Sequence, residues 1–284
     1  EIYMGDWSSD VCSSDLVLAA GNDGGMRQHA RIVFAAAGMI DVPFELFDAR
    51  AAFSDKVECV MKDFTKTLFV DLYYAAGAAT LTCELRPQGE AGFTAGPAHG
   101  GAAVTGVFSG RTFRMTHDDD VGEENGVAVT RRRFRLAVAP RPAPDRHLTG
   151  TYTLRITASA VMTIHVWTFH FKRHGFKFGP GPLPAQVTVE DRFQVSSAAA
   201  VPNVIAVAAY DADLAALPVT DFSSRGPVPR HGVGAPPPAK PDIGAPGKNI
   251  EAAESRDSHP QLPGDTVSKG GYMEIGRASC RERV

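Results

Sequence analysis

Residues 17–20, Val-Leu-Ala-Ala, are an apolar run with no polar interruption, and the run ends on Gly21-Asn22-Asp23-Gly24-Gly25. Apolar residues without alternation suit a parallel strand covered on both faces, and open α/β sheets gather their chemistry at the carboxyl ends of such strands. Asn22 therefore stands where one polar amide could act. Gly-Asn-Asp-Gly is equally an ordinary turn string, so this stretch taken alone carries both readings. A second run of the same kind, residues 204–209, reads as another fully buried strand.

Two further stretches stand in order behind the first: VPNVIAVAAYDADLAALPVTDFSSRGP (residues 201–227) and KPDIGAPGKNI (residues 240–250). Together with AAGN, in this order, they closely resemble the subtilisin-like serine proteases. The resemblance implies an endopeptidase acting on a polypeptide substrate by acyl transfer, secreted or held at the cell envelope. It implies that Asn22 donates its side-chain amide to the oxyanion of the tetrahedral intermediate, a role needing an uncharged donor fixed before reaction. Ala19, Ala20 and Gly21 would line the primary specificity pocket. No cofactor is implied, and a structural calcium ion is left open without a located site. FSSRGP and KPDIGAPG read as turns with a structural role, and Ala208 stands where the family usually has Gly.

The family's catalytic Asp and His precede the Asn motif, and its Ser lies in a Gly-Thr-Ser-Met-Ala run beyond KPDI-x-APG. None of the three falls within residues 17–273, and Ser279 in GRASC lacks the flanking residues of that run. The chain as given is expected to be inactive, as part of a serine endopeptidase. The alternative is a pseudoprotease scaffold whose β-sandwich binds a protein or glycan partner.

Between residues 26 and 185 the sequence changes character. ARIVF (residues 30–34), VPFELF, DKVECVMKD, TLFVDLYYA, ATLTCELRP, VTGVFSG, TFRMTH, VAVTRRRFRLAVAP and GTYTLRITASAVMTIHVWTFHFK alternate apolar and polar residues and are separated by Gly, Asp and Pro. That spacing predicts eight or more strands of a β-sandwich and no helix longer than a turn or two. Some relatives of the resembled family, the clostridial germination proteases among them, carry a jelly-roll-like β-sandwich at this position. GTYTLRIT is similar to a strand of those sandwiches, with Tyr152 in place of Trp. The expected fold class is α/β, a partial subtilisin-like parallel sheet (residues 17–25 and 186–273) interrupted by an antiparallel β-sandwich insertion (residues 26–185).

The ends are read differently. CSSDL (residues 12–16) and EIGRA (residues 274–278) can be encoded by strings that are reverse complements of one another, as sequencing adapters are. Residues 1–16 and 274–284 are accordingly expected to be adapter-derived rather than native. This leaves Cys59 and Cys83, more readily free half-buried thiols than a disulfide framework. A net charge of -3 argues against a nucleic-acid surface, and no apolar run is long enough to predict a membrane span. His165, His170 and His174 do not converge on a metal, because on a strand the first two differ by an odd offset and the last two are about 13 Å apart. His117 to Asp120 with Glu123 and Glu124 reads as a solvated acidic loop facing Arg131 to Arg133.

Overall fold

The computed structural model describes residues 17–21, 27–48, 68–108, 111–124, 127–139, 150–168, 170–171, 174–195, 199–200, 204–228, 239–248, 250–253, 267–268 and 272–275. Two compact units are distinguished. One comprises described residues of 1–26, 191–230 and 235–284; the other comprises those of Arg27–Glu190. The first begins with strand β1 (Val17–Ala19), whose sheet partners come only after the second unit.

The second unit contains thirteen strands among its described residues. In chain order these are β2 (His29–Phe34), β3 (Gly38–Asp48), β4 (Leu68–Ala75), β5 (Leu81–Pro87), β6 (Thr94–Ala95), β7 (Val104–Phe108) and β8 (Arg111–Glu124), followed by β9 (Val127–Val138), β10 (Gly150–Ala158), β11 (Met162–Thr168), β12 (His170–Phe171), β13 (His174–Phe178) and β14 (Val187–Glu190). They form a seven-stranded sheet, β14-β2-β11-β4-β9-β8-β7, and a six-stranded sheet, β12-β13-β3-β10-β5-β6. Neighbouring strands run antiparallel throughout.

The two-residue side-chain period explains how these sequences make two sheets around one core. Leu68, Val70, Leu72 and Tyr74 of β4 are buried while Phe69, Asp71 and Tyr73 between them are partly exposed. Ile32, Leu72, Phe134 and Leu136 from the seven-stranded sheet share one apolar cluster with Phe44, Leu46, Leu85, Leu154 and Phe176 from the six-stranded sheet. Each such side chain contributes about 1.5–3 kcal/mol on burial, so this core dominates the unit's stability.

Two expectations are corrected here. The acidic run does not form a loop, because it continues strand β8 to Glu124. Phe113, Met115 and His117 turn inward and are buried, and Tyr74 Oη lies 2.6 Å from His117 Nε2. On β9, Arg133, Arg132 and Arg131 stand opposite Asp118, Asp119 and Asp120, and Arg133 and Arg131 reach Asp120 at 3.4 and 3.7 Å. Cross-strand countercharge thus lets an acidic sequence pair as a strand. Cys83 is fully rather than half buried, and burial pushes its thiol pKa up. Cys59, the expected strand DKVECVMKD, residues 145–149 and residues 231–238 lie outside the described residues.

On the outward face of the seven-stranded sheet, His29 Nε2 lies 3.0 Å from His165 Nδ1, and Trp167 stacks on His165 and packs at a tilt against His29. Burial, reinforced by His165 and Arg31, lowers His29 to about 3; burial lowers His165 as well. Both folded pKa values lie below the ordinary 6.5, so below that pH the unfolded chain takes up the extra protons. The stabilisation is complete above pH 6.5 and declines as pH falls towards 3, by up to about 1.4 kcal/mol per pH unit for His29. Urea melts should therefore show a lower midpoint at pH 4.5 than at pH 7, with the difference reduced in His29→Gln; equal midpoints for the unaltered chain would refute this assignment.

The first unit resumes with β15 (Ile205–Tyr210) and β16 (Ile243–Pro246), which complete the three-stranded parallel sheet β1-β15-β16. Backbone pairing then joins β17 (Ile250–Ala253), β18 (Val267–Ser268) and β19 (Tyr272–Ile275) in a small antiparallel sheet, with β19 central. Every regular element among the described residues is a strand, so the expected α component is not found there. None of these residues forms a helix long and apolar enough to cross a membrane. On β15 only Ala206 and Ala208 are buried, while Ile205, Val207 and Ala209 are partly exposed. Its apolar side chains therefore have one closely covered face rather than two.

Candidate functional site at the end of the first parallel strand

Val17, Leu18 and Ala19 pair with Ile205, Ala206 and Val207, and the Ala20 N–H extends the ladder by donating to Val207 O at 2.8 Å. Ala19 is exposed, Ala20 is fully buried and Gly21 is intermediate. Gly21 has φ of +118°, a conformation that side-chain-bearing residues rarely adopt, so the position favours glycine. Its carbonyl accepts a hydrogen bond from the Ser224 N–H at 3.0 Å. Asn22 follows directly in sequence and lies outside the described residues.

The two downstream motifs fasten this sheet. In FSSRGP, Ser223 Oγ accepts from the Ala209 N–H at 3.0 Å, while the Ser224 backbone holds Gly21. In KPDIGAPG, Lys240 is buried, and its Nζ donates to Val204 O and to Asp242 Oδ2, the latter at 2.7 Å. Asp242 Oδ2 also accepts from the Ala206 N–H at 2.7 Å. The Lys240 ammonium and then this N–H hold the Asp242 carboxyl below the usual carboxylate range. Lys248 donates to Asp211 Oδ2 at 2.6 Å and lowers that carboxyl in the same way. These groups pin strand ends and satisfy backbone; they are too engaged to serve as proton-transfer groups.

KPDIGAPG is therefore not only a turn, because residues 243–246 form β16, the third parallel strand. The small residues permit close backbone approach. A Cβ on Gly226 would come within 1.9 Å of Lys240 O, and one on Gly247 within 2.4 Å of Ala209 Cβ. Gly226→Ala must push FSSRGP away from KPDI and should destabilise this unit by about 3 kcal/mol. Hydrogen exchange at the Ala206 and Ala209 amides would report it, and unchanged protection would contradict the packing described. The sequence reading missed Ser223, Ser224, Lys240 and Asp242 as a bonded set. The only signal was a lysine followed by proline and aspartate in KPDI.

Among the described residues no group of three or more His, Cys, Asp and Glu side chains is placed to hold a metal ion.

Among the described residues, Gly21, FSSRGP and KPDIGAPG are thus all tied to one three-stranded parallel sheet. Residues 184–279 match the family model Peptidase_S8, described as the subtilase family. Among solved structures the chain is similar to the CspB protease of Clostridium perfringens, at 17% identity and a TM-score of 0.51. That match covers 92% of this chain and 45% of the other, so the chain spans less than half of that protein's length. It shows a shared fold. No curated protein sequence matches.

Proposed function

We propose that this chain is the middle part of a subtilase that hydrolyses peptide bonds through a Ser-His-Asp triad carried outside residues 17–273. Asn22 supplies an oxyanion-hole amide, while Ala19 and Gly21, with Ala20 behind them, border the pocket for the substrate side chain. The observation that best supports this reading is the attachment of Gly21: Ser224 holds its carbonyl at 3.0 Å from within FSSRGP, inside the segment that matches the subtilase family. In sequence, Asn22 directly follows this held glycine. A preset donor stabilises developing negative charge without reorganising during reaction, which is the property an oxyanion hole requires.

In the same reading, residues 26–185 are an inserted β-sandwich domain of jelly-roll type, and residues 1–16 and 274–284 are adapter-derived, although the family match runs on to residue 279. The chain alone carries no nucleophile and should not cleave protein. Fluorescently quenched casein tests the whole reading. The longer polypeptide that includes this chain should release fluorescence and lose that activity after treatment with a fluorophosphonate, whereas the 284-residue chain should release none. Cleavage by the longer polypeptide that resists the inhibitor would refute serine chemistry.

A further inference from the structure

The outward face of the seven-stranded sheet carries a groove of about 520 Å³ that the peptidase chemistry does not use. It is lined by Phe69 of β4, by Thr112, Arg114, Thr116 and Asp118 of β8, and by Arg133 of β9, with further residues of β9. The even-numbered β8 positions face outward together because strand side chains alternate, while Phe113, Met115 and His117 fill the core.

Most charges on this face are already engaged. Arg135 forms a bidentate pair with Asp71, with both contacts at 2.6 Å, and stacks over Phe69 at 4.5 Å. Arg131 and Arg133 share Asp120. Two groups are different: exposed Arg114 and half-buried Asp118 have no hydrogen-bond or ion-pair partner among the described residues. Asp118 stands opposite Arg133 in the strand register without pairing to it, and the Arg133 Nε–H is buried without an acceptor. The groove therefore offers a cationic end and an anionic end, four residues apart on one strand, or about 13 Å.

We propose that this groove docks an extended polypeptide segment bearing an acidic and a basic side chain four residues apart. The carboxylate pairs with Arg114 and the cation with Asp118, while the Thr116 hydroxyl meets a polar group between them and Thr112 one beyond Arg114. An extended peptide repeats its same-face side chains every two residues with the spacing of β8 itself, so both ends are reached together. A sugar chain fits less well. The ring lining the groove, Phe69, already has the Arg135 guanidinium on its face, and sugar binding would draw on a free aromatic platform.

Fluorescence anisotropy on the full chain tests this with labelled nine-residue peptides of serine and threonine carrying Glu and Lys four residues apart. The Glu/Lys peptide should bind at least tenfold more tightly than Glu/Glu or Lys/Lys peptides of the same length. Arg114→Glu makes both ends of the groove acidic and should transfer the preference to the Lys/Lys peptide; Asp118→Lys should transfer it to Glu/Glu. Both side chains point away from the core, and an unchanged thermal melt establishes that each variant folds. Equal binding of all three peptides, a ranking that neither variant changes, or capture of polygalacturonate in place of the Glu/Lys peptide would overturn the proposal.

Discussion

In the proposed reading, replacing Asn22 by alanine in a polypeptide that also carries the triad lowers kcat about 100- to 1000-fold, the cost of losing an oxyanion-hole amide in a subtilisin, while KM stays within about twofold. The split between the two constants carries the information. A donor aimed at the oxyanion meets full negative charge only in the transition state, so its loss is felt in the chemical step rather than in ground-state binding. Asn22→Asp should be at least as damaging, because a carboxylate repels the charge that the amide attracts. If Asn22 were only a turn residue, alanine would lower stability and leave kcat of the folded fraction unchanged. Steady-state kinetics on the fraction titrated by an irreversible inhibitor distinguishes the two.

The largest expected effect on folding comes from Phe134→Ala in β9. Phe134 is fully buried, contributes to the core shared by both sheets, and packs edge-on against His117 at a ring-centroid distance of 5.8 Å. Truncation removes the ring and leaves a cavity that a two-sheet core with paired strands on either side cannot collapse to fill. A loss of about 3–5 kcal/mol follows, a large share of a domain's stability. It should appear as a lowered urea midpoint. The neighbourhood adds a second sign of close packing: a Cβ on Gly96 would lie 2.8 Å from Phe134 Cε2. A shift under about 1 kcal/mol would contradict the packing described.

What could be read in the sequence was what local pattern encodes. The alternating runs ARIVF, TLFVDLYYA, VAVTRRRFRLAV and the 150–168 hairpin correspond to β2, β4, β9, β10 and β11, with β2 beginning one residue earlier, at His29. The parallel pairing of two segments some 190 residues apart was accessible only because AAGN, FSSRGP and KPDI-x-APG occur in one order; periodicity alone could not have joined them. Where the reading failed, the deciding partner lay elsewhere in the chain. Residues 118–124 look like a solvated loop until Arg131 to Arg133 are set opposite them by strand register. Residues 243–246 look like a turn until Tyr210 and its neighbours offer a ladder. VPFELF marks only part of β3, which starts at Gly38 and runs through Pro43, a residue that usually argues against an interior strand. The Lys240–Asp242 pair needed the buried carbonyl of Val204 to give it meaning.

The assignment of this chain to a working serine peptidase is tested most directly by fluorophosphonate labelling of the longer polypeptide, with the modified residue located by mass spectrometry. A single labelled serine beyond residue 273, absent when the polypeptide is first heat-denatured, is the predicted result. No label, or a label falling within residues 27–190, would contradict it.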